Sequence, residues 1–303
     1  MASRRGTFSI VAFDADIGEV GVAVQSKYFA VGAVVPWARA GVGAVATQAS
    51  GRAAYGPEIL DLLAGGLEPA AAIERALAGD ERRETRQLGV VDATGRAAAF
   101  TGSECNDWAG HRTGPGYAVQ GNILAGEEVA SEMARAFEAT AGPLAERLVA
   151  ALEAAQAAGG DRRGQQSAAL LVERPGGMPG SGDGVDRFVD LRVDDHPKPI
   201  RELRRLLELH TRWRLMMEAF EPYERRDWPA AIAAAEAALA RFPDDPLLLY
   251  NLACCESVDG RREAALAHLG RALAADPSLV ETIRADSDFA ALADDPAFRA
   301  LLR

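Results

Sequence analysis

The sequence has 303 residues, is 49% hydrophobic and 25% charged, and carries a formal net charge of −11. The length is typical of two domains, and the composition is that of a globular protein with buried cores. Because nucleic acids and anionic membranes bind basic faces, the acidic balance excludes both as main partners.

The sequence predicts a cytoplasmic protein without a metal or a cofactor. Its three cysteines give no disulfide framework, and its four histidines are scattered without metal-binding spacing. The N-terminal residues lack the apolar segment of a signal peptide, and no apolar run reaches about 18 residues. We therefore expect no membrane span, no metal site and no cofactor.

The chain is predicted to start with antiparallel strands. Two runs rich in Val, Phe and Ile flank the turn Asp14–Gly18, which indicates a β-hairpin. The predicted strands are 7–13, 19–25, 33–38, 42–47, 87–91, 97–101, 117–121, 167–172 and 187–193, and the predicted helices are 55–64, a helix from Pro69, 126–139 and 143–158. Strands and helices come in blocks, which favours antiparallel sheets with helices layered on them. The fold-class prediction is α+β, with two sheets faced by two helix layers.

From Pro197 onward the pattern is helical. A connecting helix is expected over 200–220, and a repeat follows in which Pro243 and Pro277 lie 34 residues apart. Arg226 and Gly260 occupy the matching turns between paired helices. A 34-residue period with small residues at helix crossings is the signature of tetratricopeptide (TPR) repeats. Stacked helix pairs bind a peptide or protein on a concave face, although the array would equally serve to cap or dimerise the first domain.

The predicted organisation therefore has four parts. They are a leader over 1–6, a first domain over 7–196, a connecting helix over 197–220 and an all-α TPR-like domain over 221–303.

A glycine directly precedes the hydroxyl residue Thr7 in the first strand. If the bond after Gly6 were cut, Thr7 would carry a free α-amine and a hydroxyl, which together form a nucleophile with its own base. The sequence contains neither a serine-hydrolase elbow nor a phosphate-binding loop. Cys105 and His111 are a second candidate, as a thiol–imidazole pair, with an ordinary loop cysteine as the alternative.

Several segments of the chain resemble the bacterial family known as domain of unknown function 1028. They are Thr7–Ala12, Gly21–Lys27, Val31–Ala38, Phe100–Ser103 with Cys105, Trp108–His111, Gln120–Asn122, and Gly159–Arg163 with Ser167. The resemblance covers roughly residues 7–195. Because that family is placed in the N-terminal-nucleophile (Ntn) hydrolase superfamily, the resemblance implies an αββα sandwich and the hydrolysis of an amide.

The resemblance also implies roles for individual residues. Thr7 would attack the substrate carbonyl while its α-amine, whose pKa is about 8, takes the proton. Lys27 would lower the pKa of that amine, Asn122 would donate to the oxyanion, and Asp161 would orient the N-terminal group. The candidate substrate-binding residues are Ser9, Ser26, Gln48 and Gly121. Ser9 shares a strand face with Thr7 and is therefore also a candidate substitute for Thr7 as the nucleophile.

Each catalytic candidate also has a purely structural interpretation. Thr7 is equally a β-branched strand residue, and Lys27 is equally a solvated charge at a strand end. Asn122 suits a turn or a helix N-cap. Asp161 suits a loop position that forms an ion pair with Arg162 or Arg163.

The residues before Thr7 depart from the family pattern, in which Met directly precedes the threonine. Here Met1–Gly6 intervene. Either the Gly6–Thr7 bond is cut autocatalytically, or translation starts elsewhere, or the nucleophile stays blocked.

Two hypotheses follow. The first is an Ntn-type amidohydrolase that acts on a small amide or peptide and uses its TPR face to bind a protein partner. The second is a non-catalytic regulatory protein, in which the Ntn-like core is a scaffold and the TPR face binds a protein or a cell-wall peptide. A homodimer is a further candidate assembly.

Overall fold

The computed structural model describes residues 6–177 and 185–303, so residues 1–5 of the predicted leader lie outside the described chain. The chain forms two compact units, one extending through Glu208 and the other running from Leu209 to Arg303. Two antiparallel sheets and several helices make up the first unit, and the second unit is helical. The α+β prediction is thereby confirmed.

Ten strands build the two sheets. In chain order they are β1 (Thr7–Asp14), β2 (Glu19–Ser26), β3 (Pro36–Arg39), β4 (Gly43–Ala49), β5 (Arg86–Asp92), β6 (Ala97–Thr101), β7 (Gly110–Gly114), β8 (Tyr117–Asn122), β9 (Ser167–Glu173) and β10 (Arg187–Val193). The larger sheet has the order β10-β9-β2-β1-β8-β7, and the smaller sheet has the order β3-β4-β5-β6. The first strand of the chain therefore lies inside the larger sheet, between β2 and β8.

The described residues form ten α-helices across the two units. They are α1 (Tyr55–Ala64), α2 (Pro69–Leu77), α3 (Glu127–Ala139), α4 (Leu144–Ala157), α5 (Pro199–Glu224), α6 (Trp228–Arg241), α7 (Pro246–Val258), α8 (Arg262–Ala275), α9 (Val280–Ala285) and α10 (Pro296–Leu301). Within the described residues, no helix has the length and apolar character needed to cross a membrane.

Three apolar cores lie between the successive layers of the first unit. One core joins α1 and α2 to the smaller sheet, and another joins α3 and α4 to the larger sheet. The third lies between the two sheets and consists mainly of Val and Ala side chains. The alternation of strand side chains explains this arrangement, because odd and even positions of each strand face different layers.

The space between the sheets changes character along the strands. Towards the end of β1, Val11 packs against other buried aliphatic side chains of both sheets. Towards its start, the inward positions Thr7 and Ser9 are polar, and their cross-strand partners Asn122 and Gln120 are polar as well. Buried polar groups need hydrogen-bond partners, so this end of the sandwich must contain a polar network.

The structure corrects three local expectations. β7 was not predicted, because its sequence Gly-His-Arg-Thr-Gly is polar and glycine-rich, and it forms an exposed edge strand held by β8. The strand expected over 33–38 begins at Pro36, since Val31–Ala33 forms a 3₁₀ turn. The turn or N-cap interpretation of Asn122 is wrong, because this residue ends β8 and is fully buried.

The helical unit repeats its backbone geometry after 34 residues. α6 begins at Trp228 and α8 at Arg262, and each has 14 residues. The turns before them contain Arg226 and Gly260, which are both left-handed, with φ of 58° and 79°. The next N–H in each turn donates to the carbonyl five residues earlier, from Asp227 to Pro222 at 2.9 Å and from Arg261 to Glu256 at 2.8 Å. The 34-residue period of the sequence therefore also appears in the backbone conformation and in the hydrogen bonds of the turns.

Candidate functional site

Thr7 lies at the start of β1, in the centre of the polar end of the sandwich. Ser26 of β2 lies opposite it on one side and Asn122 of β8 on the other. Thr7 is buried, with 4% exposure, yet it borders a small cleft of about 90 Å³. The cleft is lined by Thr7, Ser26, Tyr28, Val31, Val34, Val35, Thr47, Gln48, Ala49, Gly51 and Ala53. Three predicted site residues, Thr7, Ser26 and Gln48, thus share one cleft.

The carbonyl oxygen of Gly6 is surrounded by hydrogen-bond donors. The hydroxyl groups of Thr7 and Ser26 each donate to it over 2.6 Å, and the Arg163 guanidinium donates over 2.7 Å. The two hydroxyl oxygens are themselves 3.0 Å apart. A carbonyl oxygen has two lone pairs, so three donors, one of them cationic, strongly polarise the Gly6 carbonyl.

A buried carboxylate holds Arg163 in this position. Asp161 accepts from Arg163 Nε at 3.0 Å and from Nη2 at 2.6 Å, and its side chain is fully buried. The backbone N–H groups of Lys27 and Arg163 also donate to it, at 3.2 and 2.9 Å. The alternative pairing of Asp161 with Arg163 is therefore present, and it delivers a guanidinium to the Gly6 carbonyl.

Lys27 contributes to the site through its backbone. Its N–H donates to Asp161, whereas its ammonium is exposed and donates to the carbonyl of Gln165 at 3.1 Å. The cation that contacts the Gly6–Thr7 junction is Arg163.

Three amide side chains connect the two sheets beneath Thr7. Gln87 Oε1 accepts from Gln48 Nε2 and from Asn122 Nδ2, both at 2.9 Å. Gln48 Nε2 also lies 3.4 Å from the carbonyl oxygen of Thr7. Gln87 Nε2 donates to the carbonyl of Gly121 at 2.7 Å. The network fixes the backbone on both sides of Thr7.

Ser9 and Gly121 are not among the residues that line the cleft. The Ser9 hydroxyl donates to Gln48 Oε1 and accepts from Gln120 Nε2, both at 2.6 Å. The hydroxyl of Ser9 is therefore engaged inside the sandwich. Gly121 faces the helix layer, because a methyl group there would lie 2.4 Å from Leu124 Cδ1.

The buried side-chain oxygen of Asn122, Oδ1, has no hydrogen-bond donor among the described residues. Leaving such an atom unpaired costs about 1–3 kcal/mol, so its retention opposite Thr7 needs an explanation.

A salt-bridged loop forms one rim of the cleft. Arg86 pairs with Asp80 at 2.7 Å and donates to the Ser50 carbonyl, next to the lining residue Gly51. Tyr55 also donates to Asp80. The hydrogen bond from Arg86, followed by that from Tyr55, holds the pKa of the Asp80 carboxyl well below its ordinary value.

Cys105 and His111 do not form the thiol–imidazole pair considered above. The Cys105 thiol donates to the Arg86 carbonyl at 3.3 Å, and His111 Nδ1 shares a proton with the Thr101 hydroxyl at 2.8 Å. Burial raises the pKa of the Cys105 thiol to about 11, so it is protonated at neutral pH. That alternative is wrong, and the ordinary loop cysteine stands.

Sequence reasoning missed the roles of Gln87 and Gln120 and the contact of Arg163 with Gly6. Both glutamines lie at buried positions of β5 and β8, among aliphatic neighbours. A polar residue at an inward position of an apolar strand was the available signal. Nothing local could indicate Arg163, since it and Gly6 are 157 residues apart.

Comparisons with known proteins found a family model and similar solved structures. The model of a family described as "Family of unknown function (DUF1028)" matches residues 7–203. The crystal structure of a DUF1028 protein from Silicibacter pomeroyi is 37% identical, with a TM-score of 0.62, over 68% of this chain and 86% of that chain. Anbu (ancestral beta-subunit) from Yersinia bercovieri aligns at 11% identity and a TM-score of 0.30, over 65% of this chain and 92% of that chain. No curated protein matches the chain.

Proposed function

This chain belongs to the DUF1028 family, a family of unknown function, and we propose from its site geometry that it is an Ntn-type amidohydrolase. In this proposal the first unit is an αββα sandwich of the Ntn class. Thr7 becomes the nucleophile once the bond from Gly6 is cut, and the substrate is a small amide or peptide.

The observation that carries the proposal is the set of three donors on the Gly6 carbonyl oxygen. Two of these donors, Ser26 and Arg163, remain when Thr7 Oγ1 attacks, and they stabilise the negative charge that develops on the carbonyl oxygen. The hydroxyl of Thr7 belongs to the residue that would attack, and Ser26 lies 3.0 Å from it. The family match also begins at Thr7.

Cleavage of the leader would proceed in two steps. Thr7 Oγ1 bonds to the Gly6 carbonyl carbon, the carbon–nitrogen bond breaks, and the hydroxyl proton passes by way of Ser26 to the departing nitrogen. The product is an ester between Gly6 and the Thr7 side chain. Water then hydrolyses this ester, which releases the leader as a carboxylic acid and leaves Thr7 with a free α-amine and hydroxyl.

Turnover of a substrate would repeat this chemistry on an external amide. The α-amine of Thr7 accepts the hydroxyl proton as Oγ1 attacks, and it returns a proton to the leaving amine. Water then hydrolyses the acyl ester and regenerates Thr7. A cleft of about 90 Å³ accepts only a small group, which supports a small acyl or side-chain moiety as the specificity element.

The surrounding residues take defined parts in this proposal. Arg163, oriented by Asp161, supplies the positive charge that the sequence suggested for Lys27. The unpaired Oδ1 of Asn122, opposite Thr7, accepts an N–H of the newly formed α-amine. This role differs from the oxyanion donor expected from the sequence, because Asn122 Nδ2 already donates to Gln87.

We further propose that the helical unit is a TPR-like array that binds a protein partner of a cytoplasmic enzyme. The repeated turns at Arg226 and Gly260 support the repeat assignment. The proposed domain limits remain 7–196, 197–220 and 221–303. A scaffold without catalysis, with the same binding face, is the competing proposal.

Intact-mass measurement of the purified full chain tests the proposed function. The expected mass is that of a chain beginning at Thr7, and Thr7→Ala is expected to retain Gly6 and the residues before it. Thr7→Ser keeps a hydroxyl and is expected to lose them. A wild-type chain that still carries Gly6, and that hydrolyses no small amide after the leader is removed proteolytically, would favour the scaffold.

A further inference from the structure

The helical unit contains a concave cavity of about 450 Å³. Its walls come from the second half of α5, from one residue of α6, from α7 and from the 3₁₀ segment Ser287–Leu292 with the preceding Asp286. The lining residues are Met216, Met217, Ala219, Phe220, Tyr223, Ala235, Tyr250, Asn251, Cys254, Cys255, Asp286, Ser287 and Asp288. The cavity therefore combines apolar and aromatic walls with an acidic side.

Two carboxylates form that acidic side. Tyr250 donates to Asp286, Tyr223 donates to Asp288 at 2.6 Å, and the Cys254 sulfur lies 3.6 Å from Asp286. Both carboxylates are half-buried. Burial, followed by the charge of Asp286, raises the pKa of the Cys254 thiol well above its ordinary value.

Neither carboxylate has a cationic partner within the described chain. Nearby acids of the same unit do have one: Asp294 pairs with Arg299, and Asp295 pairs with Arg262. Half-buried charges are costly to leave unpaired, and the tyrosine hydroxyls supply hydrogen bonds but no positive charge. A cation from outside the unit would complete the pair.

The walls match a planar cation with an aliphatic stem. Phe220 is 46% exposed and stacks with Tyr223 at a centroid distance of 5.9 Å. A guanidinium binds carboxylates in a fork and stacks on aromatic faces, while its stem packs on side chains such as Met216. The Asn251 amide, which bonds no described residue, is available to a peptide backbone.

We propose that this cavity binds a peptide segment of a partner protein by an arginine side chain, which pairs with Asp286 and Asp288 and stacks on Phe220. The inference rests on the proposed role of the helical unit as a binding surface, and it is independent of the chemistry at Thr7. It names the partner's chemistry: an exposed arginine flanked by apolar residues.

Fluorescence anisotropy on the full chain tests this assignment. The probe is a Gly-Leu-Arg-Leu-Gly peptide with a neutral fluorophore on its N-terminal amine and an amidated C-terminus, so that the guanidinium is its only charge. The matched probe carries citrulline, which is neutral and similar in shape, in place of arginine. We expect the arginine probe to bind at least tenfold more tightly; equal binding, or no binding of either probe, would overturn the proposal.

Variants locate the binding site. Asp286→Asn with Asp288→Asn keeps the helix cap, since Asn caps as well as Asp, and is expected to weaken binding at least tenfold. Phe220→Ala, at an exposed position, is expected to weaken binding severalfold. Asp244→Asn with Asp294→Asn removes the same two charges at side chains that are 92% and 98% exposed and lie outside the cavity, and is expected to bind as the wild type does.

Two further results separate the alternatives. Wild-type affinity in the double variant would place the arginine elsewhere and overturn the assignment, as would binding that requires added Zn²⁺, because Cys254, Asp286 and Asp288 are close enough to share a metal ion. Thr7→Ala is expected to bind the probe normally. Failure of peptide binding and failure of the proposed amide chemistry are therefore scored by different measurements.

Discussion

A methyl group added to Gly6 would lie 2.8 Å from both carboxylate oxygens of Asp161. Real Cβ atoms do not approach oxygen so closely, so only glycine fits at the residue whose carbonyl accepts the three donors. The same carboxylate holds Arg163 on that carbonyl. Asp161, which orients Arg163, therefore also requires glycine at position 6, directly before Thr7.

Gly6→Ala is the first test of this relationship. The methyl group pushes Asp161 away and takes Arg163 off the Gly6 carbonyl, so one of the two donors that remain during attack by Thr7 is lost. On the proposed function, loss of one such donor slows bond cleavage by about 100-fold. Mass spectrometry of samples taken over time would show uncut chain accumulating. Gly270→Ala is the control, because a methyl group there meets Leu301 at an ordinary 3.6 Å; equal rates in both variants would contradict the proposal.

Ser26→Ala tests the second donor. The hydroxyl contacts both the Gly6 carbonyl and Thr7 Oγ1, so its removal takes away one hydrogen bond and the proposed proton relay. We expect leader removal to slow by about 100-fold or more while the fold is kept, since only one oxygen atom is lost. Ser131→Ala removes a hydroxyl that bonds the Glu127 carbonyl within α3 and should leave the rate unchanged. A Ser26→Ala chain processed at the wild-type rate would assign Ser26 a packing role only.

Arg163→Lys separates charge from geometry. Lysine keeps the positive charge but cannot bind the Asp161 carboxylate and the Gly6 carbonyl through a planar fork. We expect slow leader removal in a folded protein, whereas Arg163→Ala leaves the buried Asp161 carboxylate without a cationic partner and should destabilise the chain by about 3 kcal/mol. Arg162→Lys, at the neighbouring exposed position, is the control. Urea titration and intact mass distinguish the two effects.

Local features of the sequence predicted much of the fold but little of the site. The β1–β2 hairpin was predictable because Gly18, with φ of 72°, ends a polar turn between two apolar runs. The Asp161–Arg163 pair was predictable as an alternative because the two residues are two positions apart.

The connections between sheets were not predictable in the same way. Gln48 and Gln87 meet across the smaller sheet, and Gln87 reaches Asn122 from there. Such contacts depend on which strands pair and on which face each residue occupies, and a register shift of one residue would move every side chain of a strand to the other face. Residues 39 or 35 positions apart carry no local pattern that records their contact.

Asp80→Asn tests the loop that borders the cleft, through its pH dependence. The Asp80 carboxyl has a lowered pKa in the folded protein, so it favours folding wherever the unfolded carboxyl, with pKa about 3.9, is also ionised. This contribution is complete near neutral pH and is lost as the pH falls below about 4, towards the folded-state value. The wild type should have a higher unfolding free energy than Asp80→Asn, and this difference should be larger at pH about 6 than at pH about 3.

The matched control for this titration is Glu74→Gln, which removes an exposed ion pair with Arg83. Exposed pairs of this kind contribute about 0–1 kcal/mol to stability. The unfolding free energy of Glu74→Gln should therefore stay close to that of the wild type at both pH values. If the difference in unfolding free energy between wild type and Asp80→Asn does not change with pH, the Asp80 carboxyl does not have a lowered pKa in the folded protein.

Arg226→Gly and Gly260→Ala test the backbone repeat of the helical unit. Both positions are left-handed, which costs a non-glycine residue about 1–2 kcal/mol. Arg226→Gly should therefore stabilise the unit by about 1 kcal/mol, and Gly260→Ala should destabilise it by a similar amount. Arg225→Gly is the control: it removes an arginine side chain one position earlier, where φ is not positive, and should not stabilise the unit. Urea unfolding followed by far-UV circular dichroism gives all three values. If Arg226→Gly and Arg225→Gly shift the unfolding midpoint alike, the effect belongs to the lost arginine side chain and not to the repeated turn.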